Sequence, residues 1–89
     1  MRLKFHTDPE HGWIEVKRMD LRRLGLLNKI SSYSFQNADS VFLEQDVDAA
    51  LFVRAFERSG STKIEFIECH REVTPIRNYM PYKRQESRP

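Results

Sequence analysis

Asp46-Val47-Asp48-Ala49-Ala50-Leu51-Phe52-Val53-Arg54-Ala55-Phe56-Glu57-Arg58-Ser59-Gly60 carries the longest helical period in this chain of 89 residues. Ala49, Phe52, Val53 and Phe56 fall at i, i+3, i+4 and i+7. Leu51 and Ala55 widen that stripe, and Arg54, Glu57 and Arg58 face the other way. Asp46 stands where a side chain can cap the first free N–H groups, and Glu44 and Asp48 add negative charge at the positive end of the helix dipole. Gly60 supplies a left-handed residue to end the helix after Ser59. Such a helix must lay its stripe on something, and the rest of the chain supplies strands.

Arg2 to Thr7 alternates, with Leu3 and Phe5 on one side and Arg2, Lys4 and His6 on the other. Asp8-Pro9-Glu10-His11-Gly12 has turn chemistry, and Trp13 to Lys17 alternates again, which predicts an antiparallel pair. Met19 to Leu24 predicts a short helix ended by Gly25, and Leu26, Leu27 and Ile30 suggest one more helical turn. Tyr33 to Phe35 and Val41 to Leu43 flank the turn residues Asn37–Ser40, a second hairpin. Lys63 to His70 reads as the last strand, with Ile64 and Phe66 opposite Glu65 and Ile67. The order is β-β-α-β-β-α-β. It predicts an α+β domain over residues 1–73: a mainly antiparallel sheet of about five strands with the Asp46–Ser59 helix across one face. Residues 74–89 read as an extended basic and aromatic tail.

Composition narrows the function classes. A chain of this length buries roughly 60–65% of its unfolded surface, so the core is modest. Six Phe, three Tyr and one Trp give that core large side chains. Cys69 is the sole cysteine, which excludes an internal disulfide and fits a cytoplasmic protein. No run reaches the ~20 apolar residues of a membrane span, and Met1–His6 lacks the apolar core of a signal peptide. The net charge is +2, but residues 71–89 alone carry +3, leaving −1 for the rest. The basic character belongs to the tail.

Catalytic signals are sparse. His6, Asp8, Glu10 and His11 crowd one strand end and loop and are weak metal candidates, because their spacing matches no dedicated metal motif. A metal-dependent hydrolase using His6, Asp8 and His11, with His70, is the weakest of three functional readings. Cys69 and His70 are neighbours in a strand and so point apart; Cys69 reads as a small core residue. Gly12, Gly25 and Gly60 are all taken by turns and caps, leaving none for a phosphate cradle. The expectation is no catalytic residue and no cofactor.

Binding signals are stronger. Lys17, Arg18, Arg22 and Arg23, with Lys29, form a basic band around the short helix. Arg77, Tyr79, Tyr82, Lys83 and Arg84 interleave cations and aromatics in the tail. Such surfaces suit nucleic acid, but the slightly acidic domain dilutes that footprint. The apolar spacing of Thr74 to Tyr82 suits an extended segment that packs on its own domain, on a twin, or in a partner's groove. Trp13 is either an interface anchor or a cover for the far side of the sheet together with the tail.

Four stretches carry a resemblance: Asp8-Pro9-Glu10-His11-Gly12-Trp13-Ile14-Glu15-Val16, Lys29-Ile30-Ser31-Ser32-Tyr33-Ser34-Phe35-Gln36, Val41-Phe42-Leu43-Glu44-Gln45-Asp46-Val47-Asp48-Ala49 and Thr74-Pro75-Ile76-Arg77-Asn78-Tyr79. Together they resemble a family of short uncharacterised proteins of bacteriophages, prophages and plasmids. The resemblance implies a mobile-element accessory protein that binds and redirects a host factor, a class that includes inhibitors of defence systems such as CRISPR. The expected partner is a host or phage protein. Nucleic acid is the alternative partner, and a homodimer is compatible with the same surfaces.

Overall fold

The computed structural model describes residues 1–60 and 63–84. β1 (Arg2–Thr7) and β2 (Gly12–Lys17) form the first hairpin, and α1 (Arg18–Arg23) follows without a break. β3 (Phe35–Asn37) and β4 (Ser40–Glu44) form the second hairpin, turning through Ala38 at φ +53° and Asp39. Then come α2 (Asp48–Arg58), β5 (Glu65–His70), a 3₁₀ turn over Pro75–Asn78, and β6 (Met80–Pro81). The sheet order is β5-β1-β2-β4-β3-β6, antiparallel throughout except for the β1–β5 pair. The fold is α+β with one main helix. The sixth strand is a correction to the five expected: two residues, one of them Pro81, carry no alternation to read.

Alternation sorts the strands into two faces. Leu3, Ile14, Val16, Val41 and Leu43 point to one face, where Ala49 and Phe52 of α2 close over them with Leu21, Leu26 and Ile30. Trp13 and Phe42 point to the other face, under Ile76, with Phe35 and Tyr79 at its margin. After Tyr79 the chain rounds the β3 edge as β6. Tyr82 then enters the first core, its hydroxyl donating to the Leu27 carbonyl. Burial there pushes the Tyr82 phenol up from its ordinary pKa, partly offset by Arg18 and Arg84.

The start of α2 differs from expectation. Asp46 does not cap it; Val47 occupies the N-cap position. The Glu44 carboxylate accepts instead from the N–H groups of Asp46 (2.9 Å), Val47 (2.5 Å) and Asp48 (2.9 Å). Burial opposes ionisation of Glu44, but the three donors outweigh it and hold its pKa below the ordinary value. Asp48 turns inward. Its Oδ2 accepts the Ser31 N–H (3.0 Å), the Ser31 hydroxyl (2.7 Å) and the Ser34 hydroxyl (2.6 Å), which ties the segment after α1 to the first turn of α2. Leu26 to Ile30 forms turns rather than another helical turn.

Two further placements follow from the sheet order. Cys69 is not in the core: among the described residues β5 is an edge strand with β1 as its sole neighbour, and Cys69 stays half-buried. Gly12 sits where a Cβ would lie 2.5 Å from Gln45 Oε1 and 2.9 Å from the Phe5 ring, so a side chain there would have to push both of those side chains aside. Among the described residues, no helix is long and apolar enough to cross a membrane.

Candidate functional site

The far face of the sheet is organised by one ion pair. The Arg77 guanidinium donates from Nε to Asp8 Oδ2 (2.6 Å) and from a terminal nitrogen to Asp8 Oδ1 (3.0 Å). This two-pronged pairing fixes orientation as well as charge. Asp8 Oδ1 also accepts the N–H groups of Glu10 (2.9 Å) and His11 (2.8 Å), so the loop Asp8–His11 is wound around the carboxylate. The Arg77 guanidinium, helped by those N–H groups against the cost of burial, holds the Asp8 carboxyl well below the usual carboxylate range. Arg77 is held above its own ordinary value by the same contact.

Around this pair the rings stack. The Arg77 guanidinium lies 5.6 Å from the centre of the Trp13 ring, and His11 stacks on Trp13 at 5.9 Å. Phe35 meets Trp13 edge-on at 6.3 Å, and Phe42 meets Tyr79 at 5.2 Å. Arg77 also donates to His11 Nδ1 (2.8 Å), so that nitrogen accepts and the neutral ring carries its proton on Nε2. Trp13 is therefore interior, at 3% exposure, beneath residues 74–79. Tyr82 is equally buried, Tyr79 is half-buried, and Arg77 is engaged with Asp8. As placed, these four side chains hold the C-terminal segment to the sheet.

Beside this stack opens a groove of about 520 Å³, lined by His11, Trp13, Ser32, Tyr33, Phe35, Glu44, Asp46, Val47, Arg77 and Pro81. Its rim is apolar and bare: Tyr33 is 80% exposed and Val47 65% exposed. All four stretches quoted for the resemblance contribute to it: the first gives His11 and Trp13, the second Ser32, Tyr33 and Phe35, the third Glu44, Asp46 and Val47, the fourth Arg77. Sequence reading missed the groove because its walls lie far apart in the chain. Tyr33, expected to open a strand, and Val47, expected in the first turn of the helix, fall instead in turns, where no apolar face takes them up.

Other cations of the sequence reading fall elsewhere, and three of them, Arg18, Lys83 and Arg84, lie around Gln36, Tyr82 and Ile30. Arg18 donates to Gln36 Oε1 (3.3 Å) and lies 5.8 Å from the Tyr82 ring centre. The Lys83 N–H reaches the same Gln36 oxygen (3.4 Å), and Arg84 Nε donates to the Ile30 carbonyl (3.1 Å). Arg18 at the start of α1 thus lies beside Tyr82 and the end of the C-terminal segment, while Arg23 lies toward Met1 and Phe56. Among the described residues, Lys17, Arg18, Arg22, Arg23, Lys29, Lys83 and Arg84 form no ion pair.

The metal candidates are separated. His6 Nε2 bonds Glu15 (2.8 Å) and packs on Phe42, whereas Asp8 and His11 face Arg77. Among the described residues, no three His, Cys, Asp or Glu side chains gather as a metal would require. The Ser40 hydroxyl also points to Glu15 (3.3 Å), so the carboxylate stands between serine and histidine. In that order the histidine cannot take the serine proton. Comparison with known proteins returned no matching family model, no matching curated protein and no matching solved structure.

Proposed function

We propose that this protein works by protein–protein contact, and that the groove between Tyr33, Val47 and the Trp13 stack receives an extended segment of its partner. The observation that carries this reading is the rim: two large apolar side chains left bare beside aromatic walls. A concave, largely apolar site with a few polar groups at its ends is the usual form of a binding pocket. Glu44, Asp46, His11 and Arg77 add polar groups to the same wall, so the groove can meet polar atoms of a peptide beside its apolar anchor. In this reading the protein is a cytoplasmic accessory factor of a mobile element that redirects or antagonises a host protein, with defence systems such as CRISPR in the class of targets.

Selection from a random peptide library tests the groove directly. Wild type should enrich short sequences with an aromatic or aliphatic anchor. Tyr33→Ala with Val47→Asp should lose them, and Arg22→Glu should keep them. Equal enrichment by all three proteins, or none by wild type, would sink the reading.

The unpaired cations favour a second reading, contact with nucleic acid. It requires binding to generic DNA or RNA that weakens steeply with salt, with a slope set by the number of phosphates neutralised. Arg22→Glu with Arg84→Glu should abolish a mobility shift seen at low salt. Absence of any shift for wild type at low salt removes this reading and leaves the first intact.

A further inference from the structure

The two edges of the sheet are unlike. β6 closes one edge with two residues, one of them Pro81. Short strands and proline are the ordinary protections of a sheet edge. β5 closes the other with six residues, Glu65-Phe66-Ile67-Glu68-Cys69-His70, containing neither proline nor lysine. Phe66 (45%) and Ile67 (39%) stay exposed on its two faces.

The direction of its free hydrogen bonds can be read. The Glu65 N–H donates to the Met1 carbonyl (2.8 Å) and the Arg71 N–H to the Thr7 carbonyl (2.9 Å). In a parallel ladder the odd-numbered residues of β5 therefore turn their peptide groups to β1. Phe66, Glu68 and His70 present theirs to the open edge.

We infer that this edge pairs with the β5 edge of a second copy of the chain, antiparallel about a two-fold axis through Ile67. In that register Phe66 and Glu68 exchange the edge hydrogen bonds with Glu68 and Phe66 of the second copy. Ile67 faces Ile67 across the axis, and Glu65 faces Cys69. The two Phe66 rings lie on the diagonal, about 7–8 Å apart between backbones, within reach of aromatic side chains. Each ring already leans on Phe5 of its own chain at 6.5 Å, so the contact extends an existing aromatic pair. Both exposed apolar residues of β5 are covered at once. The neighbouring register, centred on Glu68, would set two carboxylates directly opposite each other, which is unfavourable. A net charge of +2 puts little repulsion between copies. The interface is independent of the groove, which lies toward the opposite, β3 side of the sheet.

Sedimentation over a range of concentrations should show wild type passing from monomer to dimer. Ile67→Glu places like charges across the axis and should weaken the dimer about tenfold or more. Its circular dichroism should not change, because Ile67 is surface-exposed. Oxidative cross-linking with oxidised glutathione reads the register. Ile67→Cys in a Cys69→Ser background should give a covalent dimer, since facing residues of a non-hydrogen-bonded pair sit about 4.5 Å apart, inside disulfide range. Glu68→Cys in the same background should cross-link poorly, and Tyr33→Ala should leave dimerisation untouched. A wild-type protein that stays monomeric at every concentration, or efficient linking through Glu68→Cys rather than Ile67→Cys, overturns the inference. Either result leaves the groove reading standing.

Discussion

The two faces of the sheet are sealed by different means. On one, α2 lays a continuous apolar stripe over Leu3, Ile14, Val16, Val41 and Leu43, and the seal is spread over many side chains. On the other, residues 74–79 have no period and cover Trp13 and Phe42 with Ile76 and the edge of Tyr79. That segment is attached at points: the Asp8–Arg77 pair within it and Tyr82 beyond its end. A covering element with a period seals by area. One without a period needs a charged clamp and an anchored side chain to stay in place.

The contrast is broken most severely from the helix side. Phe52→Ala should cost about 3–5 kcal/mol, because Phe52 is fully buried at the centre of the larger cluster. Ile76→Ala removes the middle of the smaller cluster and should cost less, about 2–3 kcal/mol. Urea unfolding followed by both circular dichroism and Trp13 fluorescence separates them. Phe52→Ala should move both signals together, whereas Ile76→Ala should redden Trp13 emission in the folded baseline. Equal costs with no change in emission would mean that the two faces are one cooperative core.

Asp48 tests the seam on the helix side. Asp48→Ala leaves the Ser31 and Ser34 donors without their acceptor inside the protein, and should cost about 2–3 kcal/mol in the same urea assay. A loss under half a kcal/mol would show that the segment after α1 is held by packing alone.

The same contrast explains what was legible in the sequence. The strands of the first face and α2 announce themselves by alternation and by the 3.6-residue stripe, so the α+β class and the element order could be read. The Asp8–Arg77 pair could not, because nothing local distinguishes an arginine destined for a carboxylate 69 residues away from one left in solvent. The cap of α2 misled for a related reason: Asp46 fits the local pattern, but Glu44, arriving from the end of β4, reaches the free N–H groups first. The groove is legible only once both faces are assembled, since its walls come from four separate stretches.

Acid should loosen the clamped face by a route that Arg77 controls. Asp8 titrates below the ordinary carboxylate range in the fold, so the unfolded chain binds its proton first as pH falls. Its contribution is fully present above the unfolded value of about 3.9, and is lost as pH falls through the depressed folded value. Trp13 emission in wild type should therefore hold steady through pH 4 and redden only in stronger acid. Glu44 has a depressed carboxyl of the same sign at the seam, so the helix start should loosen in acid as well. Arg77→Ala removes the main cause of the Asp8 shift, and its emission should already be redder at pH 7. An unchanged acid profile in Arg77→Ala would assign the clamp to the stacked rings instead.

The smallest expected effect on stability carries the most functional weight. Tyr33→Ala removes a ring that is 80% exposed, and should change stability by no more than about 0.5 kcal/mol. Both sealed faces should be indifferent to it, with circular dichroism and Trp13 emission unchanged. The groove reading predicts that indifference, because a rim residue that only meets a bound segment adds nothing to folding. A loss of several kcal/mol would instead make Tyr33 part of the structural seam between Ser31 and Ser34, and would remove the bare rim on which the groove reading rests.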